Sequence, residues 1–229
     1  MGNNYKDPDN LDAQLTPHGI NQCRELSQRL KEEGLDVDCI ISSPMRRALQ
    51  TAHYSFEHIL VDAAGGSSYS SESTSTSTSK DCNSSSIPFV ACENWRETVN
   101  YVCDARLPCS QLSNAFPSVD FSKIEHEHDP IWKYYEEKHG SMQEYQKRRE
   151  SQDDESLVKR ARAAWKTIAE RPEHEQSFAV VSHSAFFMHM FTRPELGIVS
   201  YEDGDVEELM MEGFANCEMR SVAFEIASY

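Results

Sequence analysis

No apolar run in this chain approaches the ~20 residues that a membrane-spanning helix needs. The opening Met1-Gly-Asn-Asn-Tyr-Lys6 also lacks the apolar centre of a secretion signal. Gly2 makes no acylation motif, because the sixth position is Lys6 rather than Ser or Thr. No membrane partner is expected. Positive charge is scarce: 22 Lys and Arg stand against 38 Asp and Glu, a formal charge of -16. That balance argues against nucleic acid and anionic surfaces as partners. A disulfide framework is missing as well, since the seven cysteines are odd in number and irregularly spaced. Cys103 and Cys109 have no companion Cys or His pair at finger-like spacing, so they read as loop thiols and no metal is expected. Free thiols point to a reducing, cytoplasmic location.

What is present fits one α/β domain over residues 1–229. Thr16 caps a helix with Pro17 in its first turn, Ile20, Cys23, Leu26 and Leu30 on one face and Gly34 as its stop. A Ser-, Thr- and Gly-dominated stretch at 64–86 is too polar to offset the entropy of ordering and is expected as a disordered insertion. Short apolar strands are predicted at Cys39–Ile41, Phe89–Cys92 and Phe178–Val181, with Cys39 and Cys92 buried. The alternating Ser221-Val-Ala-Phe-Glu-Ile226 reads as a final edge strand. A helix from Asp154 to Ala169 has a core stripe of Leu157, Ala161, Ala164, Trp165 and Ile168. Lys147-Arg-Arg-Glu150 reads as a solvated charged face. Alternating strands and helices of this kind make a three-layer αβα sandwich on a mostly parallel sheet.

Two strand-to-helix corners carry the candidate chemistry. Ser182-His183-Ser184 ends the run Phe178-Ala-Val-Val181 and starts a helix, which delivers His183 to the carboxyl edge of the sheet. At the other corner a strand ends at Ser42-Ser43, Pro44 takes the first helical position, and Arg46 and Arg47 follow. Cations are disfavoured at a helix N-terminus unless an anion is held there. Arg46 reads as a solvated surface charge and Arg47 as an anion ligand. Arg47, Arg96 and Arg106 are the candidate arginines for a phosphate pocket. Glu97 follows the strand at Phe89, where its exit reaches the same rim.

Ser43-Pro-Met-Arg-Arg-Ala-Leu-Gln-Thr-Ala52, Leu15-Thr-Pro-His-Gly19 and Val180-Val-Ser-His-Ser-Ala-Phe186 resemble the histidine phosphatase superfamily in its phosphoglycerate mutase-like branch. Further blocks resemble plant and algal members of that branch, in the same order: Leu11-Asp-Ala-Gln-Leu-Thr-Pro17, Trp95-Arg-Glu97, Phe116-Pro-Ser-Val-Asp-Phe121, Ile124-Glu125 to Trp132, and Phe214-Ala-Asn-Cys-Glu-Met-Arg-Ser221. The resemblance implies a phosphatase of small phosphomonoesters working through a phosphohistidine, with no cofactor and a small phosphorylated metabolite as partner. It implies Glu97 as proton donor, His183 as a catalytic imidazole, and Arg47, Arg96, Ser184 and Asn216 as phosphate ligands. A phosphomutase is the alternative when a hydroxyl replaces water as acceptor.

One departure accompanies the likeness. The family's Arg-His-Gly or Arg-His-Ala signature, whose histidine is the nucleophile, is absent, and nowhere does an arginine directly precede a histidine. The first central strand is therefore expected to be missing along with the signature. His18 and His139, each followed by Gly, are poor substitutes. The resemblance thus implies impaired turnover, or a pseudophosphatase that binds phosphorylated ligands. Asn100 stands where the family has Gly, three residues after Glu97, so the loop geometry there is open to question.

Overall fold

The chain is organised around β1, Cys39–Ser42, whose four residues are all buried. In the computed structural model, which describes residues 7–63, 87–141 and 149–226, β1 is flanked by parallel neighbours on both sides. β2 (Phe89–Ala91) pairs Ile40 with Phe89, and β3 (Phe178–Val181) pairs Ile40 with Ala179, giving the order β2-β1-β3. Beyond β2, the Asp120 amide donates to the Phe89 carbonyl (2.7 Å) and the Ala91 amide to the Asp120 carbonyl (2.9 Å), which covers that edge. The far edge of β3 has no strand partner among the described residues. The stretch at 64–86 lies outside the described residues.

Strand side chains alternate between faces, so β1 feeds two separate apolar layers. Ile40 packs with Leu26, Leu30, Leu49, Ala52 and Phe56 on one side. Cys39 and Ile41 pack on the other with Trp95, Leu157, Ala161, Ala164, Ile168 and Phe186. The first layer is built from α1 (Pro17–Glu33), α2 (Arg46–Ser55), α3 (Glu57–Ala63) and α4 (Cys109–Ala115). The second comes from α6 (Asp154–Ala169), α7 (Ser184–Phe191) and α8 (Gly204–Met211). Between β2 and α6 the chain also forms α5, Pro130–His139. The result is the αβα sandwich expected, with a small, all-parallel sheet. No helix among the described residues is long and apolar enough to cross a membrane.

Local signals explain the best-defined helix. Thr16 Oγ1 accepts the Gly19 amide at 3.1 Å, and Gly34 ends α1 in the left-handed region at φ 66°. Four expectations need correction. α2 starts at Arg46 rather than Pro44, and its first amide donates not to a local serine but to Asp12 Oδ1, at 2.8 Å. Arg46 is not a solvated charge: its Nε donates to the Asp12 carbonyl (2.6 Å) and its Nη2 to that of Leu11 (3.2 Å). Arg149 and Glu150 are buried rather than on a solvated face. Glu150 takes the Arg160 guanidinium on both oxygens, each at 2.9 Å, and its Oε2 also accepts the Val99 amide at 2.7 Å. Residues 221–226 form no strand. Alternation alone does not make a strand without a hydrogen-bonding edge, and the edge of β3 is instead one wall of a cavity that Ser221, Val222 and Phe224 also line.

Candidate active site

All three strands run parallel, so their carboxyl ends open on one rim, and each carries a candidate residue into the turn that follows. β1 leads through Ser43 to Arg47 in the first turn of α2. β2 leads through the short turn Glu93–Trp95 to Arg96 and Glu97. β3 leads to His183, the residue that caps α7. Ser182 Oγ donates to the Trp95 carbonyl at 2.7 Å, tying the β3 exit to the β2 exit. Arg47, Glu97, His183, Ser184 and Asn216 all line one cavity of about 660 Å³.

His183 is buried, with Nε2 and Ser43 Oγ 2.8 Å apart. Burial, followed by the positive charges of Arg47, Arg96 and Arg160, pushes its pKa well below the usual 6.5, so the imidazole is neutral. Glu97 Oε1 accepts amides from Thr98 (2.8 Å) and from Phe186 (3.0 Å) in the first turn of α7. Burial and the nearby Asp104 carboxylate nevertheless raise its pKa, against the pull of those amides and of Arg47. Glu97 therefore keeps its proton to higher pH than an ordinary glutamate. Arg47 donates to the Cys103 carbonyl (2.6 Å) and to Asp104 Oδ1 (3.2 Å). Ser184 and Asn216 are exposed on the rim.

Arg96 sits differently. It is completely buried and grips Asp129 with two nitrogens at 2.6 and 2.7 Å, while its Nη1 and Nη2 also reach Glu93 Oε1 and the Asp104 carbonyl. Burial pushes the Asp129 pKa upward, but the charge and hydrogen bonds of Arg96 outweigh it and leave it below its usual value. Arg106 likewise spends its guanidinium on Glu93 and on carbonyls of residues 107 and 126–128. Neither lines the cavity. They hold the segments that frame it. Asn100 does the same: its Oδ1 accepts the Arg149 amide at 2.9 Å and its Nδ2 donates to Thr98 Oγ1. Its φ is not positive, so the loop does not require glycine there.

Sequence reasoning missed Ser43 as the partner of His183, Asp104 as the partner of Arg47, and Arg160, which donates to the Arg96 carbonyl at 2.6 Å behind Glu97. Arg160 had a signal, because it falls among the inward positions of α6. Asp104 had none, being one acid in an irregular loop. Among the described residues no group of three or more His, Cys, Asp or Glu side chains is placed to hold a metal ion.

Sequence comparison relates the chain to known proteins. Residues 7–63 match the family model described as histidine phosphatase superfamily (branch 1). Over 231 residues the chain is 31% identical to phosphoglycerate mutase-like protein 1 of Arabidopsis thaliana, covering 95% of this chain and 72% of that one. The chain belongs to the histidine phosphatase superfamily. A second Arabidopsis phosphoglycerate mutase-like protein is also 31% identical, with 95% and 75% coverage. A probable phosphatase of Schizosaccharomyces pombe is 27% identical over 172 residues, 75% of this chain and 62% of that one.

All nine histidines lie among the described residues. His18 and His183 line the cavity. His18 is exposed in the first turn of α1. His139 stacks on Tyr135, with ring centroids 6.1 Å apart, and is half-buried. It does not line the cavity.

Proposed function

We propose that the cavity holds the phosphoryl group of a small phosphorylated metabolite and that its chemistry is of the phosphatase type. The observation that carries this reading is the convergence of Arg47, Glu97 and His183 on one hollow from the ends of three different strands. Arg47 lines the cavity, and although Nη1 and Nη2 each give one N–H to the Cys103 carbonyl and Asp104 Oδ1, each has a second N–H left for a phosphate oxygen. The neutral imidazole of His183 offers a hydrogen bond to a third without adding a competing proton equilibrium near neutral pH. Glu97, whose pKa burial and the Asp104 carboxylate raise, is suited to protonating a departing alkoxide, a contribution of typically ~10²–10⁴-fold. Ser184 and Asn216 supply polar contacts at the rim, while Arg96 acts behind the site by fixing the chain on either side of Glu97.

A covalent phosphohistidine needs a nucleophile next to the phosphorus. His183 is hydrogen-bonded to Ser43 and buried, and His18 stands exposed at the start of α1. The 229-residue chain is therefore read as one that binds phosphomonoesters and turns them over poorly or not at all. The test is to incubate it with p-nitrophenyl phosphate and follow phosphate release and acid-labile phosphoprotein, with inorganic phosphate as a competing ligand. Binding without release is expected. Rapid release that survives His183→Ala and disappears with His18→Ala would replace this reading with catalysis by His18.

The relatives' names, a probable phosphatase in one case and phosphoglycerate mutase-like proteins in the other, leave two acceptors to weigh for this chain, water and a second hydroxyl. Both reactions use the same phosphoryl clamp. Water is the acceptor we favour, since hydrolysis asks for no second organic ligand beside the phosphoryl group.

A further inference from the structure

Two thiols far apart in sequence meet beside the cavity. Cys23 lies on the inward face of α1 and is fully buried; Cys217 is half-buried, lines the cavity and sits 194 residues further along the chain. Their sulfurs are 3.3 Å apart. A disulfide brings sulfurs to about 2.05 Å, so closing the gap takes a shift of about one ångström rather than a rearrangement. From this juxtaposition we propose that Cys23 and Cys217 form a reversible disulfide that fastens the segment 214–226 to α1. The inference does not depend on what the cavity binds.

The surroundings of Cys217 make the meeting a built one. Its backbone is held in the left-handed region at φ 55°, unusual for a residue with a side chain. The turn that imposes this is closed on both sides: Glu218 Oε2 accepts the Ala215 amide at 2.6 Å, and the Glu218 amide donates to the Ala215 carbonyl. Arg220 then anchors the turn to the end of α8, donating to the carbonyls of Leu209, Glu212 and Gly213, pairing with Glu218 and lying over the Phe214 ring at 3.9 Å. The segment is thus bolted to α8 on one side. On the α1 side the thiol pair is its counterpart.

The chemistry balances with hydrogen peroxide as the oxidant. The Cys217 thiolate attacks one peroxide oxygen; the O–O bond breaks, water leaves, and a sulfenic acid forms on Cys217. The Cys23 thiol then gives up its proton as its sulfur attacks that of Cys217, the S–O bond breaks, and the departing hydroxide takes that proton and leaves as a second water. Burial, then the hydrogen bond and charge of Cys23, push the Cys217 thiol up to about 12. Only a small thiolate fraction reacts at neutral pH. The bond therefore forms slowly, and faster as the pH rises. It suits a durable lock better than a rapid sensor.

The experiment treats the 229-residue chain with hydrogen peroxide, blocks the remaining thiols, and maps non-reduced tryptic peptides by mass spectrometry. The expected product joins the peptide of Cys23 to that of Cys217 with loss of two hydrogens, reverses with dithiothreitol, and slows amide hydrogen exchange in 214–226. In Cys23→Ser, a dimedone adduct should accumulate at Cys217. Oxidation of Cys217 without the cross-link, or a cross-link to a different cysteine as the main product, would overturn the pairing. A cross-link that leaves exchange in 214–226 unchanged would overturn the lock.

Discussion

His183 and Ser43 are hydrogen-bonded at 2.8 Å across 140 residues of chain, joining the exit of β3 to the exit of β1. That bond fixes the imidazole on the cavity wall. Ser43→Ala strands a buried ring nitrogen, and a lost buried partner costs about 1–3 kcal/mol. Chemical denaturation should show a loss of this order. Ser43→Cys, which keeps a weak donor, should lose less.

The buried, neutral state of His183 also sets a pH dependence. Its folded pKa lies below the unfolded 6.5, so between these values the unfolded chain binds more protons and stability falls as the pH drops. In His183→Gln that contribution disappears. Urea midpoints measured on both proteins from neutral pH to below 6.5 should fall more steeply with acid for the wild type. Parallel curves would mean that the folded imidazole titrates normally.

Glu97 predicts a different pH effect, on binding. As its proton leaves, a second negative charge appears beside the ligand, so phosphate should bind more weakly as pH rises through the raised Glu97 pKa. Glu97→Gln keeps an acceptor for the Thr98 and Phe186 amides while removing the titration. Its affinity for phosphate should vary with pH only as phosphate itself ionises. Calorimetric titration at several pH values reads this directly.

The pair of Glu150 and Arg160 supports the site from behind, through the Arg160 bond to the Arg96 carbonyl. Both partners are buried, and removing one from such a pair costs about 3–5 kcal/mol because the other charge is left uncompensated. Glu150→Ala should fall in that range by urea denaturation. Replacing both with apolar residues should cost much less.

Much of this architecture was legible locally. The cap at Thr16, the stop at Gly34 and the apolar runs of β1, β2 and β3 are short-range signals, and the corners at Arg47, Glu97 and His183 follow from where those runs end. What was not legible depends on distant partners. α2 begins two residues later than its own serine and proline suggest because the acceptor for its first amide is Asp12, 34 residues upstream. Arg149 and Glu150 look like surface charges until Asn100, Val99 and Arg160 are brought to them. Arg96 looks like a phosphate ligand until Asp129, 33 residues on, takes two of its nitrogens. Residues 221–226 alternate like a strand, yet lie along a cavity rather than against an edge.

The most direct measurement is calorimetric titration of inorganic phosphate into the wild type, Arg47→Ala and Arg193→Ala, the last removing a cation whose ion pairs are to Asp154 and Glu195, away from the cavity. The account predicts one phosphate per chain in the wild type and in Arg193→Ala, and at least a ~10-fold loss of affinity in Arg47→Ala, as expected for a charged hydrogen-bond pair. Equal affinity in all three proteins, or no binding to the wild type, would contradict it.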